Sequence, residues 1–146
     1  MQNEVYNEKN QCCFMGQKII YVEDDKDTAE VAKTILEIGG YDVDLAFNGA
    51  EGLKKIMSSD YDLALLDIMM PDMSGWDLYQ KVKGKKMKFA FLSALPVSGE
   101  RLKELKKQGI SDYITKPFTK NELIERVKKI IVIAFILAYN LFNSFY

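Results

Sequence analysis

Two apolar runs, Ile19 to Val22 and Leu63 to Leu66, both stop on carboxylates: Glu23-Asp24-Asp25 follows the first and Asp67 the second. Short apolar runs bounded by polar residues read as strands buried on both faces, as in a parallel sheet covered by helices. In such a sheet the carboxyl ends of all strands open on one edge, so Asp24 and Asp67 fall together although they lie far apart in sequence. Two carboxylates about 4 Å apart repel by roughly 4 kcal/mol at an effective dielectric near 20. A cluster of this kind therefore implies a bound cation, a raised pKa or a neighbouring ammonium.

Two further runs end in the same way on different chemistry. Lys88-Phe89-Ala90-Phe91-Leu92 stops on Ser93, and Asp112-Tyr113-Ile114-Thr115 stops on Lys116-Pro117. A hydroxyl and an ammonium thus join the carboxylates at one edge. The set suits a phosphoryl group: oxygen ligands for Mg²⁺, a carboxylate able to attack phosphorus, and Ser93 and Lys116 to bond the phosphoryl oxygens after transfer. The chain contains no histidine, and this chemistry needs none.

Four stretches in order carry a family resemblance: Ile20-Tyr21-Val22-Glu23-Asp24-Asp25, then Leu65-Leu66-Asp67-Ile68-Met69-Met70-Pro71-Asp72-Met73-Ser74-Gly75, then Phe91-Leu92-Ser93-Ala94, and last Asp112-Tyr113-Ile114-Thr115-Lys116-Pro117-Phe118. From about Gln17 to Lys129 the chain resembles the receiver domain of two-component response regulators. The resemblance implies an α/β fold of the flavodoxin-like, CheY-like kind, a doubly wound five-stranded parallel sheet of order 2-1-3-4-5. It implies that Asp67 is the phosphoacceptor. Mg²⁺ would be held by Asp24, Asp67 and the backbone carbonyl of Met69, with Glu23 reaching it through water. Lys116 would contact the phosphoryl group, and Ser93 and Tyr113 would be the switch pair. A cis peptide at Lys116-Pro117 is implied as well, which proline permits because its tertiary amide favours trans by only about 0.5–1 kcal/mol. The implied partner is a sensor histidine kinase or a histidine phosphotransfer protein, and the implied role is a phosphoacceptor rather than an enzyme.

Periodicity places five helices between and after the strands. Strand one is Lys18–Val22, and helix one runs from Lys26 to Ile38 with Gly39-Gly40 as its stop. Strand two, Asp42–Phe47, alternates Val43, Leu45 and Phe47 with Asp42, Asp44 and Ala46, as an edge strand with one polar face should. Helix two starts at the cap Asn48 and ends near Ser58-Ser59. Helix three starts near Gly75 and is cut short by Gly84 and the following lysines. Helix four is expected over Ser98–Gln108, and helix five begins at the cap Thr119.

Residues 1–16 read as a disordered polar tail, 17–129 as the receiver, and 130–146 as the end of helix five with an apolar extension. A chain of 146 residues suits one domain, so a stand-alone receiver is expected. The formal charge of −1 gives no footprint for nucleic acid, and the lysines from Lys81 to Lys88 read as a solvated face. Cys12 and Cys13 are adjacent, which argues against a disulfide framework and for a reducing cytoplasm.

The last segment, Ile130 to Tyr146, has 17 residues and no charge. As a helix it would extend about 26 Å, short of the roughly 30 Å hydrocarbon core of a bilayer. Ile130 and Ile131 should finish the core face of helix five. Leu123, Val127, Ile130, Ala134, Leu137 and Leu141 continue a four-three spacing that suits a homodimer through helix five. Contact with a membrane is a second expectation, with Arg126, Lys128 and Lys129 keeping the domain on the cytoplasmic side, and a flexible tail is a third.

Other classes fit less well. A haloacid-dehalogenase-like phosphatase needs a second Asp two residues after the nucleophile, where this chain has Met69. A flavodoxin-like electron carrier needs a phosphate loop where Glu23-Asp24-Asp25 would repel the cofactor. The alternative within the family is a degenerate receiver serving as a membrane- or partner-bound scaffold through its C-terminal helix.

Overall fold

The computed structural model describes residues 16–144. Five strands, β1 (Lys18–Val22), β2 (Asp42–Ala46), β3 (Leu63–Leu66), β4 (Lys88–Ser93) and β5 (Asp112–Thr115), form one parallel sheet of order β2-β1-β3-β4-β5. Between and after them run α1 (Lys26–Ile38), α2 (Gly49–Ser58), α3 (Gly75–Val82), α4 (Gly99–Lys107) and α5 (Lys120–Asn143). This is the CheY-like α/β fold and strand order that the resemblance implies.

Both faces of the sheet are buried, and alternate residues divide between two cores. Ile19, Tyr21, Leu63, Leu65, Ala90, Leu92 and Ile114 face α1 and the first part of α5, where Ala29, Ala32, Leu123 and Val127 meet them. Ile20, Val22, Ala64, Leu66, Phe89, Phe91 and Tyr113 face the other side, against Ile56, Leu78, Val82 and Leu105. A one-residue slip of any strand would exchange its two sets, so the register is strongly specified.

Each helix starts on a residue whose side chain accepts an otherwise unpaired amide: Asp25, Asn48, Ser74, Ser98 and Thr119. Ser74 with Asp77, and Thr119 with Glu122, are complete capping boxes. Ser98 and Gln108, expected inside helix four, are its caps. β2 ends at Ala46 rather than Phe47, because the Phe47 amide turns from the sheet to the Glu51 carboxylate at 2.9 Å just before the Asn48 cap. Ala46, expected on the polar face of this edge strand, is fully buried in the second core, since α2 covers that end of β2.

In α5, Leu123, Val127, Ile130 and Ile131 are buried, and the helix then leaves the domain. No helix of the described residues is long and apolar enough to cross a membrane. The expected polar tail, apart from Gly16, and the two cysteines lie outside the described residues.

Candidate functional site

The register aligns the strand ends. Val22 pairs with Leu66, Leu66 with Phe91, and Ser93 with Thr115. Backbone bonds carry the alignment one residue further: the Asp67 amide donates to the Val22 carbonyl at 3.0 Å and the Lys116 amide to the Ser93 carbonyl at 2.8 Å. Glu23, Asp24, Asp67, Ser93 and Lys116 therefore share one edge. Among the described residues, the buried polar or charged side chains are Glu23, Asp67 and Ser93, and all three belong to this edge. Burying such groups is costly unless they are paired, so their convergence points to a shared task.

One carboxylate oxygen each from Glu23, Asp24 and Asp67 lies within 4.8 Å of the others. Asp24 is exposed and the other two are buried. An all-oxygen donor set of like charge, open to solvent on one side, fits a hard divalent cation such as Mg²⁺. Lys116 bridges the cluster from the side. Its ammonium bonds Glu23 Oε2 and lies 3.5 Å from Asp67 Oδ2. Resemblance placed Lys116 toward the phosphoryl group; in this structure its nearest partner is Glu23.

Burial and the Glu23 charge raise the Asp67 carboxyl from 3.8 to about 6, against the opposing pull of Lys116. For Glu23 burial pushes the same way, but hydrogen bonds from Lys116, Tyr21 and the Asp25 amide outweigh it, and its pKa is lowered. The two neighbours thus differ in which one holds its charge more readily. A group whose folded pKa is raised contributes stability that is present below its unfolded value and lost as pH rises through the folded value. With the metal chelated, lowering pH from 7 to about 5 should therefore raise the urea midpoint, and Asp67→Asn should remove that gain. Glu23, shifted the other way, acts below its ordinary value of 4.5, outside this window.

Asp67 Oδ1 accepts the Met69 amide at 3.2 Å, which starts the loop between β3 and α3. The loop closes where the Gly75 amide meets the Ile68 carbonyl at 3.0 Å. A Cβ on Gly75 would stand 2.2 Å from the Asp67 carbonyl oxygen, so only glycine allows α3 to start this close to the site.

On the other side, Ser93 is fully buried and its hydroxyl accepts the Leu95 amide at 3.3 Å. Tyr113 is 5% exposed and donates to the Leu95 carbonyl at 2.6 Å. The expected switch pair therefore meets on the backbone of one residue, Leu95. The resemblance makes Tyr113 the aromatic member of the switch pair, and the structure holds it in the buried position.

Three further participants were not assigned to this site from the sequence. Tyr21 donates to Glu23 Oε2 at 2.7 Å; an aromatic hydroxyl two residues before an acid on the same strand face was the available signal. Arg126, read as a flanking cation, grips Asp112 with two bonds of 2.6 and 2.7 Å and the Tyr113 carbonyl with a third of 3.0 Å, tying α5 to β5 beside the switch residue. Asp72 accepts two amides of α2. Trp76 is partly buried against Tyr79 and Phe91, with the Arg101 guanidinium 5.9 Å from its ring centre.

Fold and site together define a CheY-like α/β domain with an acidic pocket and a lysine at its rim. The profile of the response regulator receiver domain matches residues 19–128. The chain is 41% identical over 116 residues to the transcriptional regulatory protein CusR of Escherichia coli K12, covering 78% of this chain and 51% of that protein. It is 41% identical over 113 residues to the transcriptional regulatory protein DltR of Streptococcus agalactiae, covering 76% of this chain and 50% of that one. The chain thus spans about half the length of the curated relatives it matches. The receiver domain of the Francisella response regulator 1452 superposes with a TM-score of 0.72 at 37% identity, covering 81% of this chain and 98% of that one. The response regulator TrrA of Thermotoga maritima, solved in complex with Mg²⁺ and BeF, superposes with a TM-score of 0.68 at 36% identity, covering 78% and 98%. The chain belongs to the response regulator receiver family, whose members are phosphoacceptor signalling modules of two-component systems.

Proposed function

We propose that Asp67 accepts a phosphoryl group from a histidine on a sensor kinase or histidine phosphotransfer protein. The observation that carries this reading is the confinement of the buried polar side chains of the described residues, Glu23, Asp67 and Ser93, to one strand edge beside Lys116. Asp24, Asp67 and the Met69 carbonyl would hold Mg²⁺ directly, and Glu23 through water. The ion supplies charge neutralisation at the phosphoryl oxygens.

An Asp67 oxygen attacks phosphorus in line, the new O–P bond forms as the histidine N–P bond breaks, and the nitrogen keeps the electron pair. The aspartyl phosphate adds up to about two negative charges at the end of β3. Lys116 then has a stronger anion beside it than Glu23 and moves toward it. Glu23 keeps the Tyr21 hydroxyl and the Asp25 amide, and the cation it would reach through water balances its charge in place of Lys116. Ser93 turns its hydroxyl from the Leu95 amide to a phosphoryl oxygen. That frees the Leu95 backbone to which Tyr113 is bonded, while Tyr113 keeps the buried position it already holds. The change reaches α5 through Arg126, which holds both Asp112 and the Tyr113 carbonyl.

Trp76 fluorescence should change with Mg²⁺ and again with beryllofluoride. A protein that responds to neither is the scaffold alternative, with its function in the C-terminal helix.

The output we propose is association of two copies in the cytoplasm through α5. Ile133, Leu137, Tyr139 and Leu141 are 56, 57, 61 and 66% exposed on a helix that carries apolar residues on every side. Such a helix is ordinarily covered, and Leu137 and Leu141 extend the spacing begun by the buried Leu123, Val127 and Ile130. The double substitution Leu137→Glu with Leu141→Glu should convert a sedimenting dimer to a monomer while leaving the fold intact, since both side chains lie outside the core. A truncation that tests the same point must spare Ile130 and Ile131, which are buried. A monomeric full chain that partitions into vesicles would favour membrane contact instead.

A further inference from the structure

The loop between β3 and α3 carries Met69, and its tip is exposed at Pro71 and Asp72. Its base is tied to the fold by the bond from the Gly75 amide to the Ile68 carbonyl. Its tip is tied elsewhere. Asp72 Oδ1 accepts the Gly49 amide and Oδ2 the Ala50 amide, each at 2.9 Å, so one carboxylate binds the first two residues of α2 across more than twenty residues of sequence. The start of α2 packs closely on loop side chains at this point. A Cβ on Gly49 would stand 2.2 Å from Met73 Cγ and 3.3 Å from Asp72 Oδ2.

For its own capping α2 already has Asn48, whose side chain accepts the Glu51 amide at 2.8 Å. The Asp72 carboxylate adds a favourable interaction with the helix dipole and two charge-assisted bonds, which tie the loop to the helix start. Those same amides hold the Asp72 carboxyl below its ordinary value, so the tether stays charged at neutral pH.

We infer that Asp72 is a positioning residue for the metal site: by anchoring the loop tip to the start of α2 it holds the Met69 backbone in place beside Asp67. The inference rests on the Mg²⁺ reading above, and it concerns a residue that touches neither the metal nor the phosphoryl group. Without the tether the loop keeps its closed base and the Met69 amide bond to Asp67, but the segment from Met69 to Met73 samples more positions. The Met69 carbonyl then has to be ordered each time the cation binds.

The test compares Asp72→Ala with Asn48→Ala in the full chain, titrating Mg²⁺ against Trp76 fluorescence and following amide exchange of Met69 and Gly75 without metal. Both variants weaken the start of the same helix, but only the first releases the loop. Asp72→Ala should raise the half-saturating Mg²⁺ concentration about tenfold, the low end of what supporting groups around metal ligands contribute, and should speed exchange at Met69. Asn48→Ala should stay within about twofold on both. The phosphorylation rate from acetyl phosphate at saturating Mg²⁺ should be close to wild type in each, because Asp67 and Lys116 are untouched. Equal shifts in the two variants, or none in Asp72→Ala, overturn the inference and leave Asp72 as a helix cap. A wild-type protein with no Mg²⁺ response overturns the site reading itself, and the inference with it. Should Asp72→Ala not fold, Asp72→Asn carries the same comparison, since it keeps one acceptor oxygen and predicts an intermediate shift.

Discussion

Asp67→Asn is expected to abolish phosphorylation by acetyl phosphate altogether while making the metal-free protein more stable. The amide is the same shape as the carboxylate, but its oxygen and nitrogen are poor nucleophiles, and no other described carboxylate is buried at this edge except Glu23, which Lys116 and Tyr21 already occupy. Intact-mass spectrometry should show one added phosphoryl group on the wild type and none on the variant. The gain in stability has a separate cause. Asp67 is 5% exposed and its pKa is raised to about 6 by burial and by the Glu23 charge, so at pH 7 it is ionised against its surroundings. Removing that charge should be worth on the order of 1–2 kcal/mol in urea unfolding at pH 7, and the benefit should vanish near pH 4, where the wild-type carboxyl is already neutral. Added Mg²⁺ should reverse the ranking, because it stabilises only the protein with the complete ligand set.

Lys116→Met should act in the opposite direction. The lysine is the one cation bonded to Glu23 among the described residues, and Glu23 is 1% exposed. Methionine fills much of the same volume but leaves a buried carboxylate with only the Tyr21 hydroxyl and the Asp25 amide. Breaking a buried pair from one side typically costs about 3–5 kcal/mol. Here the Asp67 charge adds to the cost, since Lys116 also moderates it from 3.5 Å. Urea unfolding at pH 7 should show a loss of this size, partly recovered in Mg²⁺. A loss below about 1 kcal/mol would mean that water rather than Lys116 balances Glu23. The variant should still be phosphorylated, because Asp67 remains, but beryllofluoride should no longer alter α5, whose response depends on the lysine leaving Glu23 for the phosphoryl group.

Much of this protein was legible in its sequence. The apolar runs stopping at Glu23, Asp67, Ser93 and Lys116 mark strand ends whatever the tertiary details, because a buried strand must be apolar and must stop where charge begins. The parallel α/β alternation then brings those ends to one edge. Helix starts were equally local: Asp25, Asn48 and Thr119 cap by bonding an amide three residues on, a distance that needs no knowledge of the rest of the chain. What the sequence alone could not supply was the choice of partner within reach. Lys116 sits on Glu23 more closely than on Asp67, Tyr21 closes the same network, and Arg126 locks to Asp112 instead of merely flanking the apolar tail. Nothing local to Asp72 shows that the start of α2 lies beside it. The same holds for Ala46, polar-facing by alternation but buried once a helix lay over it. The difference has one physical origin. Periodicity and capping are settled within a few bonds along the chain, whereas the pairing of charges depends on which distant segments the packing brings to within about 3 Å, where hydrogen-bond energy falls off steeply.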